Sequence, residues 1–153
     1  METRYLLALH LSRCCPHVKQ KLCFNDERLN SLYAKISKLC ADIRNEYHQY
    51  FSDGVKCNDL RDLHIALEEL FGDNEVNIGR ISAAFVLASM YYEDCGSTYA
   101  LYEINRLIER IFKKKGVDKW IAQEHKTDIG VRKYIEPVIA FFIGYFTNSL
   151  FRI

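Results

Sequence analysis

The sequence predicts an all-α protein whose residues 1–153 form a single domain. Pro16 and Pro137 are the two prolines of the chain, so about 120 consecutive residues between them contain no proline. Apolar residues recur through this stretch at intervals of three and four, which is the period of an α-helix. Because 49% of the residues are hydrophobic, a chain of this length has enough apolar side chains to form one core.

Turn residues divide the chain into seven or eight helices. The predicted helices, in chain order, span residues 2–13, 26–51, 60–71, 78–92, 98–114, a short segment around Trp120, and 131–150. Asp26 and Asp118 each precede an apolar run, and aspartate is preferred at helix N-termini, so we expect each to cap its helix. We interpret Lys113-Lys114-Lys115 as a solvated helix end whose charge complements the helix dipole.

The helix predicted at residues 78–92 carries the most information about function. Its residues 81–90 have no charge, so we expect the helix to be buried on nearly all sides. Arg80 lies in its first turn, where a charge beside a buried helix is costly unless a partner compensates it. The simplest interpretation is an ordinary core helix whose arginine meets an acidic neighbour.

The residues around Arg80 also support a second interpretation. The string consists of Glu69-Leu70-Phe71, Asp73, Val76-Asn77 and Gly79-Arg80-Ile81. It resembles the first homology motif of the Bcl (B-cell lymphoma two) family of apoptosis regulators. Ile78 stands where that motif has a tryptophan, which removes a flat aromatic surface and an N–H donor.

Two other stretches resemble the same family. One helical stripe consists of Leu32, Ile36, Leu39, Ile43, Tyr47 and Phe51. It is similar to the family's third homology helix, with Ala41 where an aspartate is expected. Trp120-Ile121 followed by Ile129-Gly130 resembles the second homology motif, with a longer spacer and without its second tryptophan.

The resemblance implies a Bcl-type bundle of seven or eight helices around an apolar central helix. It implies an inhibitor of apoptosis that sequesters the amphipathic homology helix of pro-death Bcl family proteins in a hydrophobic groove. Arg80 would pair with an aspartate of that ligand, Asn77 would hydrogen-bond nearby, and Gly79 would let the ligand backbone come close. The candidate groove walls are Phe71, Ile78, Ala83, Leu87, Leu39, Ile43 and Tyr47.

The resemblance also carries expectations about location and assembly. The uncharged run 138–146 has nine residues, fewer than the about 20 that a membrane-spanning helix needs, so we expect it to close the bundle without a spanning anchor. A small version of this fold suggests a viral homologue in the host cytoplasm, with peripheral contact at the mitochondrial outer membrane as the alternative. An open apolar groove would favour a homodimer; the rival is that the segment 138–146 covers its own groove.

Other function classes have less support. A pore-forming, pro-apoptotic member of the same fold remains an alternative, although Ala41 favours a receptor over a killer. An unrelated helical enzyme or scaffold is the third class, but none of the five histidines lies in a recognisable catalytic arrangement. We therefore expect no enzyme activity and no cofactor. The six cysteines match no standard metal-ligand spacing and should be mostly reduced. The net charge of +1 offers no broad surface for nucleic acid.

Overall fold

Helices account for almost all of the chain that the structure describes. The computed structural model describes residues 2–14, 26–52, 59–95, 98–123, 137–138 and 140–141, without the side chains at 47–52, 94–95 and 98. These residues form six helices: α1 Glu2–Cys14, α2 Glu27–Ser52, α3 Leu60–Leu70, α4 Ile78–Cys95, α5 Thr98–Lys115 and α6 Val117–Ala122. Residues 137–138 and 140–141 are also helical. The all-α class is therefore confirmed, while most of the helix predicted at 131–150 lies outside the described residues.

Helix α4 occupies the centre of the bundle, as its uncharged sequence predicts. It packs against α1, α2, α3 and α5, and every residue from 81 to 90 is buried. Phe85 of α4 stacks on Phe112 of α5 with ring centroids 6.2 Å apart, and Phe112 in turn meets Phe71 edge to face at 5.9 Å. Three aromatic rings from different parts of the chain thus join α4 to its neighbours in one apolar core.

Two aspartates determine where helices α2 and α3 begin. The Asp26 carboxylate accepts hydrogen bonds from the backbone N–H groups of Arg28 at 2.9 Å and Leu29 at 3.2 Å. Asp59 accepts one from the backbone of Arg61 at 3.1 Å. Each carboxylate satisfies N–H groups that have no partner within the helix. The cap predicted at Asp26 is confirmed.

The cap predicted at Asp118 is wrong. Gly116 precedes α6 with a positive φ of 78° and provides no side-chain cap. Glycine adopts this left-handed conformation without steric cost, so the chain passes from α5 into α6 through a single residue. Asp118 falls in the first turn of α6, and its carboxylate accepts a hydrogen bond from the Thr3 hydroxyl instead.

The first helix is attached to elements that follow it by about a hundred residues. Arg4 of α1 makes two hydrogen bonds to the Glu109 carboxylate of α5, at 2.5 and 3.0 Å. Arg28 of α2 bridges Glu2 at 2.6 Å and the carbonyl of Ile121 in α6 at 2.6 Å. Together with the bond from Thr3 to α6, these contacts hold α1 against α2, α5 and α6.

Two of the three lysines at the end of α5 form ion pairs with another helix. Lys114 and Lys115 both pair with Glu68 of α3, at 3.0 and 3.2 Å. The hydrogen bond from Lys114, supported by Lys115, lowers the pKa of Glu68 to about 2. The interpretation as a free helix end therefore holds only for Lys113, which is exposed. In the part of the chain that the structure describes, no helix is long and apolar enough to cross a membrane.

Candidate functional site

Arg80 and Asn77 lie together at the N-terminus of the central helix. The Asn77 side-chain oxygen accepts a hydrogen bond from the backbone N–H of Arg80 at 3.0 Å, and the Asn77 carbonyl accepts one from Ile81 at 3.1 Å. Asn77 is thus the N-cap of α4. The predicted role of Asn77 in ligand binding would have to coexist with this capping role, which fixes the direction in which α4 leaves the preceding turn.

The Arg80 guanidinium forms ion pairs with two acidic residues of the turn that precedes α4. It forms a bidentate pair with the Asp73 carboxylate, one contact of which measures 2.8 Å. It also donates to the Glu75 carbonyl at 3.1 Å and lies 3.7 Å from the Glu75 carboxylate. The Arg80 side chain is 17% exposed, against 57% for Asp73 and 64% for Glu75. The arginine therefore meets acidic neighbours, as the simplest interpretation of the sequence expects.

The charge pair changes the titration of both partners. The hydrogen bond from Arg80 holds the pKa of the Asp73 carboxyl well below its usual range, and the backbone N–H of Glu75 adds to this effect. The same bond raises the pKa of Arg80. Asp73 is consequently ionised throughout the physiological pH range, and any ligand carboxylate that binds Arg80 must share it with Asp73 or replace Asp73.

The apolar residues predicted to line the groove lie in the core. Each is less than 9% exposed: Phe71 0%, Ile78 8%, Ala83 0%, Leu87 0%, Leu39 0% and Ile43 1%. Gly79 is also buried. Tyr47 belongs to α2, but its side chain is outside the described residues. Among the residues that are described, these candidates are brought together by packing between helices rather than along an open groove.

A cleft does lie beside Arg80. Its volume is about 290 Å³, and it is lined by Glu69, Leu70, Asp73, Arg80, Pro137, Val138 and Phe141. Val138 is 2% exposed and belongs to the core cluster, and Phe141 packs against that cluster. Val138 and Phe141 are both helical residues, and both line the cleft together with Arg80. Apolar side chains of this chain are thus already placed next to Arg80.

Comparison of the chain with protein-family models, curated proteins and solved structures gives no match.

Three features of the site were missed by the sequence interpretation of the motif. Asp73 and Glu75 were not assigned to Arg80, although both lie within seven positions of it and Asp73 belongs to the quoted string. Their proximity to a costly charge was the available signal. Val138 was expected to close the bundle, but no pattern in the sequence indicates that Val138 and Phe141 do so beside Arg80.

Other chemically active side chains are separate from this site. The buried His10 stacks on Phe85 at 5.4 Å, and the Cys14 thiol lies 3.6 Å from its Nε2 atom. Burial raises the pKa of the Cys14 thiol, which keeps it protonated and a poor nucleophile. Over the described residues, no group of three or more histidine, cysteine or acidic side chains is arranged to hold a metal ion.

Proposed function

We propose that this chain is a Bcl-type inhibitor of apoptosis that binds the amphipathic homology helix of pro-death proteins, with Arg80 as the residue that pairs with the ligand's aspartate. The observation that carries the proposal is the packing of Val138 and Phe141 beside Arg80. An apolar helical segment next to a guanidinium is the arrangement that an amphipathic ligand helix with one acidic residue would reproduce.

The proposed binding requires two rearrangements at the site. Pro137, Val138 and Phe141 must leave the cleft, because they occupy the surface that the ligand would cover. The ligand aspartate must then compete with Asp73 for the guanidinium. Contact with the deeper candidates, such as Leu87, requires the helices around α4 to separate, since these side chains are fully buried. Binding by this route combines a local exchange with opening of the bundle.

Helix α2 provides support for a receptor rather than a killer. Killer proteins of this fold use their third homology helix as a ligand, in which an aspartate is expected. Here Ala41 holds that position on the exposed side of α2, and Asp42 is half-buried, about 100° further around the helix. We extend the proposal to a viral homologue in the host cytoplasm, with a Bcl-type bundle of seven or eight helices. The pore-forming alternative remains an outcome of the cellular test below.

The experiment is a binding titration of homology-helix peptides from pro-death proteins against the full chain and two variants. Arg80→Ala should weaken binding by about 2–5 kcal/mol, because truncating one member of a desolvated charge pair leaves the other unpaired. Arg61→Ala is the matched control, since Arg61 is an exposed arginine of α3 and should bind like the parent. Equal binding by Arg80→Ala and the parent would refute the assignment.

Expression in stressed cells separates the receptor from the killer. The proposal expects survival of cells that express the parent chain and loss of this protection with Arg80→Ala. Circular dichroism and thermal unfolding of Arg80→Ala check that the turn at Asp73 remains folded. Cell death caused by the parent chain would favour the pore-forming alternative.

A further inference from the structure

The exposed side of α5 carries a continuous stripe of two tyrosines and three cations. The tyrosine–cation stripe consists of Tyr99, Tyr102, Arg106, Arg110 and Lys113, all of which are exposed. Their spacings of three, four, four and three place them on one side of the helix. Ile104, Leu107, Ile108 and Ile111 face the core from the opposite side. The stripe extends over about 21 Å of helix.

The two tyrosines provide apolar surface that the fold does not use. Tyr99 is 69% exposed and Tyr102 is 56% exposed, and they are the exposed large hydrophobic residues of the described chain. Their ring centroids are 6.5 Å apart. The Arg106 guanidinium carbon lies 5.6 Å from the Tyr102 centroid, and its Nη1 donates to the Tyr102 hydroxyl at 3.4 Å. These contacts restrict both side chains, which lowers the entropic cost of binding a partner.

The positive charge of the stripe is not compensated within the described part of the fold. No ion pair between described residues involves Arg110 or Lys113. The charged residues beside the stripe, in contrast, do have partners: Glu109 pairs with Arg4 of α1, and Lys114 pairs with Glu68 of α3. The stripe is therefore a band of three positive charges beside the paired residues Glu109 and Lys114, and its electrostatic complement is a narrow acidic surface.

The residue types favour a protein over a membrane or a nucleic acid. Tyrosine and arginine are the residues that most often dominate protein–protein binding energy, whereas helices that lie in membranes present tryptophan, phenylalanine or leucine. Glu103 borders the stripe on one side, and its carboxylate would repel a continuous polyanion or an anionic lipid surface. A peptide whose acidic residues match the three cations avoids this carboxylate.

We propose that the tyrosine–cation stripe of α5 binds an acidic segment of another protein. An aromatic or leucine side chain of that segment packs on Tyr99 and Tyr102, while its carboxylates pair with Arg106, Arg110 and Lys113. The surface involves neither Arg80 nor the residues at 137–141, so it is independent of the proposed groove function.

Selection of random peptides of about 15 residues, the length that the stripe spans, tests the proposal with the full chain. The peptides that are enriched should contain several aspartates or glutamates around an aromatic residue or leucine. Their affinity should fall at least about tenfold with Tyr102→Ala and with Arg110→Glu. Tyr102→Phe should restore most of the affinity lost in Tyr102→Ala, because it keeps the ring.

Two matched variants control for folding and for general charge. Arg61→Glu makes the same charge change on α3 and should leave peptide affinity unchanged, as should Arg80→Ala. Both stripe positions are exposed, and thermal unfolding should confirm that the variants remain folded. Peptides whose affinity is insensitive to the stripe variants would overturn the proposal. So would phosphatidylserine vesicles or a single-stranded oligonucleotide that binds through the stripe when no peptide does.

Discussion

At the scale of single residues, Asp73 forms an ion pair with the Arg80 guanidinium, which the proposed ligand would have to bind. Replacing Asp73 by Asn removes the competing charge while keeping the side-chain shape. We expect Asp73→Asn to bind homology-helix peptides about two- to fivefold more tightly, a small change because exposed ion pairs are weak in water. Isothermal titration calorimetry of the variant against the parent measures this change.

The control for Asp73→Asn is Glu27→Gln, which removes one negative charge from an exposed position at the start of α2. It should not alter peptide affinity if the effect of Asp73 is local. Weaker binding by Asp73→Asn than by the parent would mean that Asp73 positions Arg80 for the ligand rather than competing with it.

His10 makes the stability of the fold sensitive to acid. Burial, followed by the charge of Arg44, lowers the pKa of His10 from 6.5 to about 4. The groups that face it are the Cys14 thiol of α1, the Tyr33 ring and Arg44 of α2, and Phe85 of α4. None of these side chains is negatively charged, and the hydrogen bond with the Phe85 backbone, which favours the protonated imidazole, has a smaller effect than burial and Arg44.

Because the pKa of His10 is lower in the folded chain than in the unfolded chain, the protein loses stability as the pH falls. Above pH 6.5 histidine is neutral in both the folded and the unfolded chain, and its contribution to stability is complete. As the pH falls from 6.5 to about 4, only the unfolded chain gains the proton, so the free energy of unfolding decreases by about 3 kcal/mol. Urea unfolding at several pH values should show this decrease for the parent and not for His10→Phe. His64→Gln, at a half-exposed position, should retain it.

At the scale of helices, the sequence predicted which helix sides are apolar and buried, but it did not predict which apolar side chains a ligand could reach. The uncharged run in α4 correctly indicated a helix buried on all sides, and the period of α5 indicated its core side. The same patterns could not distinguish a groove wall from a core position, since Leu39, Ile43 and Leu87 are apolar in either case. The pairing of Glu68 with Lys114 was also unpredictable, because it depends on the placement of α3 beside α5.

Leu87 provides a test of the position of α4. Leu87→Ala should reduce the free energy of unfolding by about 2–5 kcal/mol, because removing a fully buried leucine side chain leaves a cavity. Urea unfolding without ligand measures the loss, with Tyr99→Ala as an exposed control on α5 that should change stability little. A loss below about 1 kcal/mol for Leu87→Ala would indicate that Leu87 lines an open groove in solution.

At the scale of the whole molecule, Val138 and Phe141 determine whether the dimer expected from the sequence can form. The dimer prediction assumed an open apolar groove, but Val138 is buried and Phe141 packs against the core beside Leu70. We therefore expect the parent chain to sediment as a monomer at tens of micromolar. The two-fold dimer stays a prediction for a form in which this segment has left the cleft.

A variant that displaces the segment tests this expectation. Val138→Asp combined with Phe141→Asp should expose apolar surface around Leu70 and increase self-association in sedimentation velocity. A homology-helix peptide should then convert dimer to peptide-bound monomer. Ala140→Asp is the matched control, since Ala140 is exposed and should remain monomeric. A parent chain that is already dimeric and is dissociated by peptide would place the open groove in the native protein.

The fold class followed from proline spacing and helical period, because both depend on local sequence. The number of helices and their arrangement around the cleft depend on contacts between distant residues, which periodicity does not contain. Asp118 illustrates the difference: its sequence position resembles a cap, but the partner that it meets is Thr3 of the first helix.

The attachment of α1 to α5 and α6 has a consequence for the newly made chain on the ribosome. Helix α1 is synthesised before α5 and α6, yet Glu109, Asp118 and Ile121, which hold it through Arg4, Thr3 and Arg28, are added about a hundred residues later. Until then Leu6, Leu7 and Leu11, which are fully buried in the finished fold, have no α5 or α6 to cover them. The newly made α1 therefore exposes an apolar surface to chaperones until α5 and α6 have been synthesised, and its docking on them is a late step of folding.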